Sequence, residues 1–161
     1  MIQLQTERLT LRNLQEEDGK ILYAYRNDPE CSRYQRWEDT SLPALECFVK
    51  TFSCCAFPSE EEEQHYALCL GEMLIGDVSC FYTQKDSCFT LGITMATQYH
   101  HQGYAREILG AMVAVLKARY PKREIVALID PENAASIALF EALGFVRECY
   151  AESIRSCVYV I

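Results

Sequence analysis

One segment, from about residue 87 to residue 129, constrains the fold more than any other, because it predicts strand, helix and strand in succession. Between Gly103 and Tyr120, apolar residues recur at the i, i+3, i+4, i+7 spacing of one buried helical face. These residues are Ala105, Ile108, Leu109, Met112, Val113 and Leu116. Pro121 ends the helix, and the run from Ile125 to Ile129 is apolar throughout, as in a parallel strand covered on both faces. The segment therefore predicts a parallel βαβ unit.

The rest of the chain predicts strands that pair mainly with antiparallel neighbours. Alternating or apolar runs predict strands at about 3–13, 64–70, 72–82, 145–152 and 156–161, and helical segments are predicted at about 16–28 and 42–55. A further helix follows Ile129, with Asp130 suited to its N-cap, Pro131 to its first position and Gly144 to a left-handed cap after its end. The predicted fold is α/β (α+β), with a mixed, largely antiparallel central sheet, one parallel βαβ unit and about four helices.

The composition predicts one ordinary globular domain that spans residues 1–161. Half of the 161 residues are apolar and 24% are charged, which suffices for a core without disulfides or a structural metal. The longest apolar stretch is too short to cross a bilayer, and the first residues lack the pattern of a signal peptide. The nine cysteines are odd in number and show no CxxC spacing, so we interpret them as small core residues in a reducing cytoplasm.

The charge balance argues against nucleic acid as a partner. The chain has 15 basic and 23 acidic residues, a net charge of −8, whereas a phosphate backbone is bound mainly by clustered lysine and arginine. Two interpretations remain open, namely a cationic substrate or acidity that serves solubility alone. The acidic run from Glu60 to Glu63 has two interpretations as well, a solvated loop before a strand or an acidic lip for a cation.

The turn before the helix at Gly103 is a candidate anion site. A helix N-terminus offers unpaired backbone N–H groups and the positive end of the helix dipole, and Gly103 and Ala105 leave room for a phosphate to approach. A simple turn residue is the alternative for this glycine. Neither the dinucleotide fingerprint G-x-G-x-x-G nor the P-loop is present. His100 and His101 are adjacent, but no acidic ligand accompanies them, so no metal site is predicted.

Three segments of the chain resemble the GNAT superfamily of N-acetyltransferases. The stretch from Gly92 to Met95, followed by His100 to Glu107, is similar to the acetyl-coenzyme A signature of that family, Q/R-x-x-G-x-G/A at the start of a long helix. Asn133 to Ser136 with Leu139 to Phe145 resembles its N-x-x-S/A and L-Y/F-x-x-x-G-F element. Thr6 to Arg12, TERLTLR, resembles the opening of the branch that includes the ribosomal-protein N-terminal acetyltransferases. The resemblance spans nearly the whole chain in the family's order.

The resemblance implies where acetyl-coenzyme A would bind. Ile93, Thr94 and Met95 would present backbone groups to the pantetheine arm. The backbone amides of the turn would hold the pyrophosphate, namely those of His101, Gln102, Gly103, Tyr104, Ala105 and Arg106. Asn133 would contact the cofactor near the thioester, and Phe140 would lie beside its sulfur. Structural alternatives are strand core for Ile93 and Met95, a first-turn polar residue for Asn133, and packing against the sheet for Phe140.

Three positions depart from the family's pattern. His100 stands at the Q/R position, where a histidine can change charge near neutral pH. Phe140 stands where many relatives carry a tyrosine whose hydroxyl can protonate the departing thiolate. Ser136, one helical turn earlier, offers the alternative hydroxyl and is the predicted catalytic residue. Thr90 stands where many members of the branch carry a glutamate, so the general base is unassigned and can be a water chain to bulk solvent.

The implied function is an N-acetyltransferase with acetyl-coenzyme A as cosubstrate. We expect direct attack by a primary amine, because no cysteine stands where the resemblance marks a nucleophile. The acceptor, a small amine or a peptide N-terminus, is expected between the 29–41 segment and the hairpin at 153–156. The side chains expected there are Tyr34, Trp37, Glu38 and Asp39.

A second class of function remains open at this point. It is a non-catalytic module that binds coenzyme A or a protein partner, and Phe140 and Thr90 are the residues that favour it. In either case we expect no nucleic-acid or membrane partner, and a monomer or a homodimer.

Overall fold

The structure, a computed structural model, describes residues 1–61 and 63–161, and eight strands form its central sheet. The strands are β1 (Ile2–Gln5), β2 (Leu9–Arg12), β3 (Gln64–Leu70), β4 (Met73–Thr83), β5 (Cys88–Met95), β6 (Glu124–Ile129), β7 (Val146–Ala151) and β8 (Ser156–Val160). The α-helices are α1 (Asp18–Arg26), α2 (Pro29–Ser32), α3 (Leu42–Thr51), α4 (Tyr104–Arg119) and α5 (Ala134–Ala142). Within the described residues, every helix is too short or too polar to cross a membrane.

The strands lie in the order β1-β2-β3-β4-β5-β6-β8-β7, and β5 and β6 run parallel. The other neighbouring pairs are antiparallel. Because α4 connects β5 to β6, the predicted βαβ unit within a largely antiparallel mixed sheet is confirmed. The five helices exceed the predicted number by one, α2. This helix is a single turn that starts at Pro29 and is capped by the Asp28 carboxylate, so it is too short to produce a periodic pattern.

Two apolar clusters pack against opposite faces of the sheet. Tyr66 of β3 belongs to the cluster that contains Ile108 of α4, whereas its neighbour Ala67 belongs to the cluster of Leu22 and Leu45 from α1 and α3. Because successive side chains of a strand point to opposite faces, α4 covers one face and α1 and α3 cover the other. Complete burial of such leucine and isoleucine side chains contributes about 1.5–3 kcal/mol each.

The single strand predicted at about 3–13 is wrong, because the chain turns back within it. The backbone N–H of Thr6 donates to the carbonyl oxygen of Leu9 at 2.9 Å, and β1 then pairs antiparallel with β2. Alternation of polar and apolar residues is the same in one long strand and in two short ones. The alternation therefore does not reveal the turn between β1 and β2.

The start predicted for α5 is also wrong. The helix begins at Ala134, because the side-chain oxygen of Asn133 accepts the backbone N–H of Ser136 at 3.1 Å and so caps it. Asp130 instead accepts the N–H of Glu132 at 2.9 Å in the turn before the helix. The predicted left-handed glycine after the helix is confirmed, since Gly144 has φ 93°.

Candidate active site

The parallel strands β5 and β6 diverge and open a cleft in the sheet. They pair over three positions, Cys88–Thr90 with Glu124–Val126, and in the described chain their pairing ends there. Beyond this point β5 continues to pair with β4, and β6 with β8. The facing edges of residues 91–95 and 127–129 therefore hold backbone groups that an extended ligand can use as an added strand.

A cleft of about 670 Å³ lies at this opening. The structure brings five of the predicted site residues to its walls, namely Ile93, Thr94, Asn133, Ser136 and Phe140. Met95, the next residue after Thr94 on β5, has a buried side chain, and its carbonyl oxygen lies 2.8 Å from Nε2 of His100. The predicted residues of β5 and α5 thus converge on one space, and their contacts with a cofactor stay a prediction.

The anion turn, residues 101–106, consists of the last residues of the connection between β5 and α4 and the first residues of α4. Its members are His101, Gln102, Gly103, Tyr104, Ala105 and Arg106. His101 and Gly103 adopt left-handed backbone conformations with φ 59° and 81°, and Gly103 is the N-cap of α4. In the described chain no side chain caps this helix, so the first-turn N–H groups of residues 104–106 are available to an anion.

Arg8 lies against the anion turn, although the sequence placed it only in the opening TERL segment. Its Nε donates to Oε2 of Glu107 at 2.7 Å, and its Nη1 donates to the carbonyl oxygen of Gln102 at 3.1 Å. The guanidinium carbon lies 4.6 Å from the centre of the Tyr104 ring. Although burial raises it, the pKa of Glu107 is lowered overall, because the Thr6 hydroxyl and the Arg8 N–H groups donate to the carboxylate. An ionised Glu107 therefore holds Arg8 beside the turn.

The side chains of α5 give the cleft a hydroxyl and an amide beside an aromatic ring. Asn133 uses its oxygen to cap the helix, which leaves its NH₂ group for other partners. The Ser136 hydroxyl makes no hydrogen bond to a described residue, so it is not bonded to a carbonyl of its own helix. Phe140 is 2% exposed and packs edge-on against Phe145, with the ring centres 5.0 Å apart. The hydroxyl of Ser136 is thus free to meet a ligand in the cleft.

A buried ion pair joins α1 and β4 on the other side of the cleft. Nη2 of Arg26 lies 2.7 Å from Oδ2 of Asp77, and the Tyr25 hydroxyl donates to Oδ1 at 2.5 Å. The Arg26 guanidinium lies between the rings of Trp37 and Phe48, 4.8 and 4.5 Å from their centres. Burial, and then the charge of Asp77, raises the pKa of Tyr25 well above its usual value. Tyr25 therefore stays protonated and acts as a donor to the carboxylate.

His65 lies near this ion pair inside a ring of aromatic side chains. Phe48, Phe52 and Phe81 surround it, with ring centres 4.6, 4.6 and 5.6 Å away. Its Nε2 lies 3.0 Å from Oε1 of Glu63, and its Nδ1 is buried without a partner in the described chain. Burial lowers the pKa of His65, although the charges of Asp77 and Glu63 oppose this. The imidazole is therefore neutral at neutral pH.

Carboxylates outnumber positive side chains in the lining of the cleft. Among the described residues that line it there are five carboxylates and one arginine, namely Glu38, Asp39, Glu63, Asp77 and Asp130 against Arg26. Tyr34 and Trp37 line it as well, so the 29–41 segment, where the acceptor is expected, borders the cleft. Of the acidic run, Glu63 lines the cleft and Glu60 pairs with Arg123 at 3.0 Å, while Glu62 lies outside the described residues.

Arg36 links the 29–41 segment to the turn between β7 and β8. It donates to the carbonyl oxygen of Ile154 and, at 2.9 Å, to that of Arg155. Its Nη2 also lies 3.9 Å from Oδ2 of Asp130. An adjoining cleft of about 390 Å³ is lined by Ile154 and Ser156. The two elements expected to receive an acceptor thus meet beside the diverging strands.

The described residues offer neither a cysteine nor a metal-binding cluster at the cleft. Its lining, within the described part of the chain, contains no cysteine. Cys31 lies behind it, where Sγ donates to the carbonyl oxygen of Met95 at 3.4 Å, and burial followed by the charge of Asp77 raises the pKa of this thiol to about 11. Among residues 1–61 and 63–161 there is no cluster of three or more His, Cys, Asp or Glu side chains that could hold a metal ion.

Comparison with known proteins places this geometry in a family. Residues 8–146 match the family model described as an acetyltransferase (GNAT) domain. Among curated proteins, the chain is 24% identical over 149 residues to p20 of Bacillus licheniformis, which is described as an uncharacterized N-acetyltransferase. That similarity covers 90% of this chain and 83% of the relative.

Solved structures share the fold. An acetyltransferase of the GNAT family from Bacillus anthracis superposes with a TM-score of 0.83 at 20% identity, covering 100% of this chain and 98% of that one. RimL, a ribosomal L7/L12 α-N-protein acetyltransferase in complex with coenzyme A, superposes with a TM-score of 0.81 at 17% identity, covering 100% and 97%. At these identities the likeness concerns the fold.

Proposed function

The chain belongs to the GNAT family of acetyltransferases, and from that premise we propose that it transfers the acetyl group of acetyl-coenzyme A to a primary amine. The observation that carries the proposal is the continuous path from the diverging strands to the anion turn. Free strand edges follow Thr90 and Val126, and the uncapped N-terminus of α4 follows β5 after residues 96–103, which include a 3₁₀ turn over Thr97–Tyr99. An extended arm with a phosphate group at its far end matches this path.

The residues present fit acetyl-coenzyme A along its length. The backbone of Ile93 to Met95 would bind the pantetheine arm, and the amides of residues 101–106 would bind the pyrophosphate. Asn133 would offer its free NH₂ group near the thioester, while Phe140 would pack beside the sulfur. RimL, which has the same fold, was solved with coenzyme A. These assignments support one another because they follow a single extended ligand from its thioester to its pyrophosphate.

Direct transfer needs no nucleophile from the protein. Bound acetyl-coenzyme A supplies a thioester, in which the amine nitrogen forms a bond to the carbonyl carbon, the C–S bond breaks and the thiolate leaves. Ser136 would donate a hydrogen bond to that thiolate, because its hydroxyl has no partner in its own helix. The lining of the cleft in the described chain offers no cysteine for an acyl-enzyme.

The acceptor we propose is a cationic amine, either a small molecule or a peptide N-terminus. An aliphatic ammonium group has a pKa near 10, so it arrives protonated. The acidic lining of the cleft favours such a cation, and Tyr34 and Trp37 offer aromatic faces for it. Water would carry the ammonium proton to the carboxylates at the mouth of the cleft and on to bulk solvent.

Thiol release from acetyl-coenzyme A tests the proposal. A panel of diamines, polyamines, aminoglycosides, peptides and the anionic amine glutamate separates acceptor classes, and we expect turnover with cations and little with glutamate. Glu38→Gln and Asp39→Asn should raise KM for the cationic acceptor and leave the Kd of coenzyme A unchanged, because both carboxylates line the acceptor side. Glu72→Gln, in the exposed turn between β3 and β4, is the matched control.

The alternative function is a module that binds coenzyme A without turnover. Phe140 lacks the hydroxyl expected of a general acid, and Thr90 lacks the carboxylate expected of a base. Tight binding of coenzyme A with no thiol release across the panel would favour this alternative. Failure to bind coenzyme A would reject both of these functions and leave a module that binds a protein partner.

A further inference from the structure

Arg8 is held beside the anion turn by residues distant in sequence. Glu107 accepts from the backbone N–H of Arg8 at 3.0 Å and from its Nε at 2.7 Å. The same carboxylate accepts the Thr6 hydroxyl at 2.6 Å, so the whole 6–8 segment is fastened to the first turn of α4. The Arg8 guanidinium is thus placed on α4 while its side chain remains 44% exposed.

One edge of that guanidinium faces the turn without a partner. Nε and Nη1 are used by Glu107 and by the Gln102 carbonyl, whereas no described residue accepts from Nη2. A Cβ added to Gly103 would lie 3.4 Å from Nη2. Because glycine has no side chain, the space between Nη2 and the backbone of residue 103 stays open, and the free N–H groups of α4 begin at the next residue.

The geometry points to Arg8 as a further cofactor-binding residue, which donates from Nη2 to a pyrophosphate oxygen of coenzyme A. This inference rests on the proposed function. The backbone N–H groups of the turn approach the anion from one side, and Arg8 approaches it across Gly103 from the other. A guanidinium suits this position because its planar fork can hold Glu107, the Gln102 carbonyl and a phosphate oxygen at once, whereas the single ammonium of a lysine cannot.

Calorimetric titration of coenzyme A into Arg8→Gln tests the inference. A lost charge-assisted hydrogen bond should weaken binding about ten- to a hundredfold, and the loss should shrink as salt is raised. Arg8→Lys keeps the charge without the fork and should fall between wild type and Arg8→Gln. Arg119→Gln, at the exposed far end of α4, is the matched charge control and should bind like wild type.

Two further measurements distinguish binding of phosphate by Arg8 from a purely structural role of Arg8 in supporting the anion turn. Thr6→Val removes the 2.6 Å bond to Glu107 but leaves Arg8 in place, so it should bind coenzyme A nearly as well as wild type. An equal loss in Thr6→Val and Arg8→Gln would overturn the inference in favour of a structural role. Dephospho-coenzyme A should lose the same factor with Arg8→Gln, and a loss confined to coenzyme A would assign Arg8 to the 3′-phosphate and overturn the placement.

These titrations distinguish failure of the inference about Arg8 from failure of the proposed function. Wild-type protein that does not bind coenzyme A rejects the function and the inference together. Wild-type binding with unchanged affinity in a folded Arg8→Gln variant rejects only the inference.

Discussion

Nε2 of His100 lies 2.8 Å from the carbonyl oxygen of Met95, so the residue that precedes the anion turn is tied to the last residue of β5. A carbonyl oxygen only accepts, so Nε2 carries the proton and donates it. This bond holds the residues that follow β5 against the end of that strand.

We therefore expect His100 to support coenzyme A binding through this bond. His100→Ala removes the donor to the Met95 carbonyl oxygen, so the turn should be held less well against β5 and the affinity should fall about three- to tenfold. His100→Gln keeps a donor for Met95 and should bind nearly as well as wild type. Calorimetric titration of the three proteins is the measurement, and equal affinities of His100→Ala and wild type would reduce His100 to a turn residue.

Gly103→Ala should weaken coenzyme A binding by tenfold or more. Its new Cβ would fill the space between Nη2 of Arg8 and the backbone of the turn. A positive φ also strains any side chain, at roughly 1 kcal/mol of stability, and Gly71→Ala provides the control for that strain. Gly71 has φ 60° with no atom within 4 Å of an added Cβ. Similar melting temperatures with a loss of affinity in Gly103→Ala alone would support the placement, and equal affinities would contradict it.

The fold was largely predictable where local pattern and long-range packing agree. Helix α4 buries Ile108, Leu109, Met112 and Leu116, which are four of the six residues on the predicted face. Strand β6 lies between β5 and β8, and its apolar run is buried as predicted except for Leu128, which is 46% exposed. The turn at Thr6 and the late start of α5 were missed because each depends on a single hydrogen bond. In the sequence, Asp130 and Asn133 are equally suitable N-cap residues, so the pattern does not distinguish them.

The site was predictable only in part, because a motif consists of residues close in sequence, whereas a cleft is lined by residues that are far apart in the sequence. The sequence motifs named residues of β5, α4 and α5, and those of β5 and α5 line one cleft. Arg8 with Glu107 and Arg26 with Asp77 are separated by 99 and 51 residues, so no spacing rule connects them. The sequence analysis assigns no role to His65, because its aromatic surroundings arise from α3 and β4.

Asp77→Ala should destabilise the fold strongly. It removes the partner of a guanidinium that is only 5% exposed and the acceptor of the Tyr25 hydroxyl. Breaking a buried ion pair from one side costs about 3–5 kcal/mol. The free energy of unfolding, measured in urea, should fall by this amount, whereas Glu60→Ala, which breaks the exposed pair with Arg123, should cost less than about 1 kcal/mol. Equal effects of the two variants would mean that solvent reaches Arg26.

His65 should make stability fall below neutral pH. Burial lowers the pKa of His65 in the folded protein, whereas in the unfolded chain it is near 6.5. The unfolded state therefore binds a proton that the folded state does not. The contribution of His65 is complete above about pH 6.5 and is lost as the pH falls toward the folded pKa, with a slope of at most about 1.4 kcal/mol per pH unit.

Urea unfolding between pH 5 and pH 8 checks this dependence. In the acidic range, the free energy of unfolding of His65→Gln should depend less on pH than that of wild type. His101→Asn, at an exposed position of the anion turn, should follow the wild-type curve. Parallel curves for wild type and His65→Gln would show that the pKa of His65 is the same in the folded and unfolded states, and would contradict the prediction.

Ser136→Ala should lower kcat about ten- to a hundredfold with little change in the Kd of coenzyme A. A thiol ionises near pH 8.5, so the leaving group needs only modest help, and a serine hydroxyl lies at or below the low end of the 10²–10⁴-fold range of positioned acids. The Ser136 hydroxyl is free in the cleft, and the Phe140 ring below it offers no donor. Phe140→Tyr should therefore be tolerated and should partly restore kcat in the Ser136→Ala background.

The exposed Ser53→Ala variant is the control for loss of a serine hydroxyl, since that hydroxyl contacts only its sequence neighbours in the described chain, the carbonyl oxygen of Lys50 at 2.9 Å and Sγ of Cys54 at 3.8 Å. A selective fall in kcat marks an interaction made in the transition state. Unchanged turnover of Ser136→Ala with an accepted amine would make solvent the proton donor, because the thiolate can be protonated by water once it leaves. A rise in the Kd of coenzyme A with unchanged kcat would instead assign Ser136 to ground-state binding.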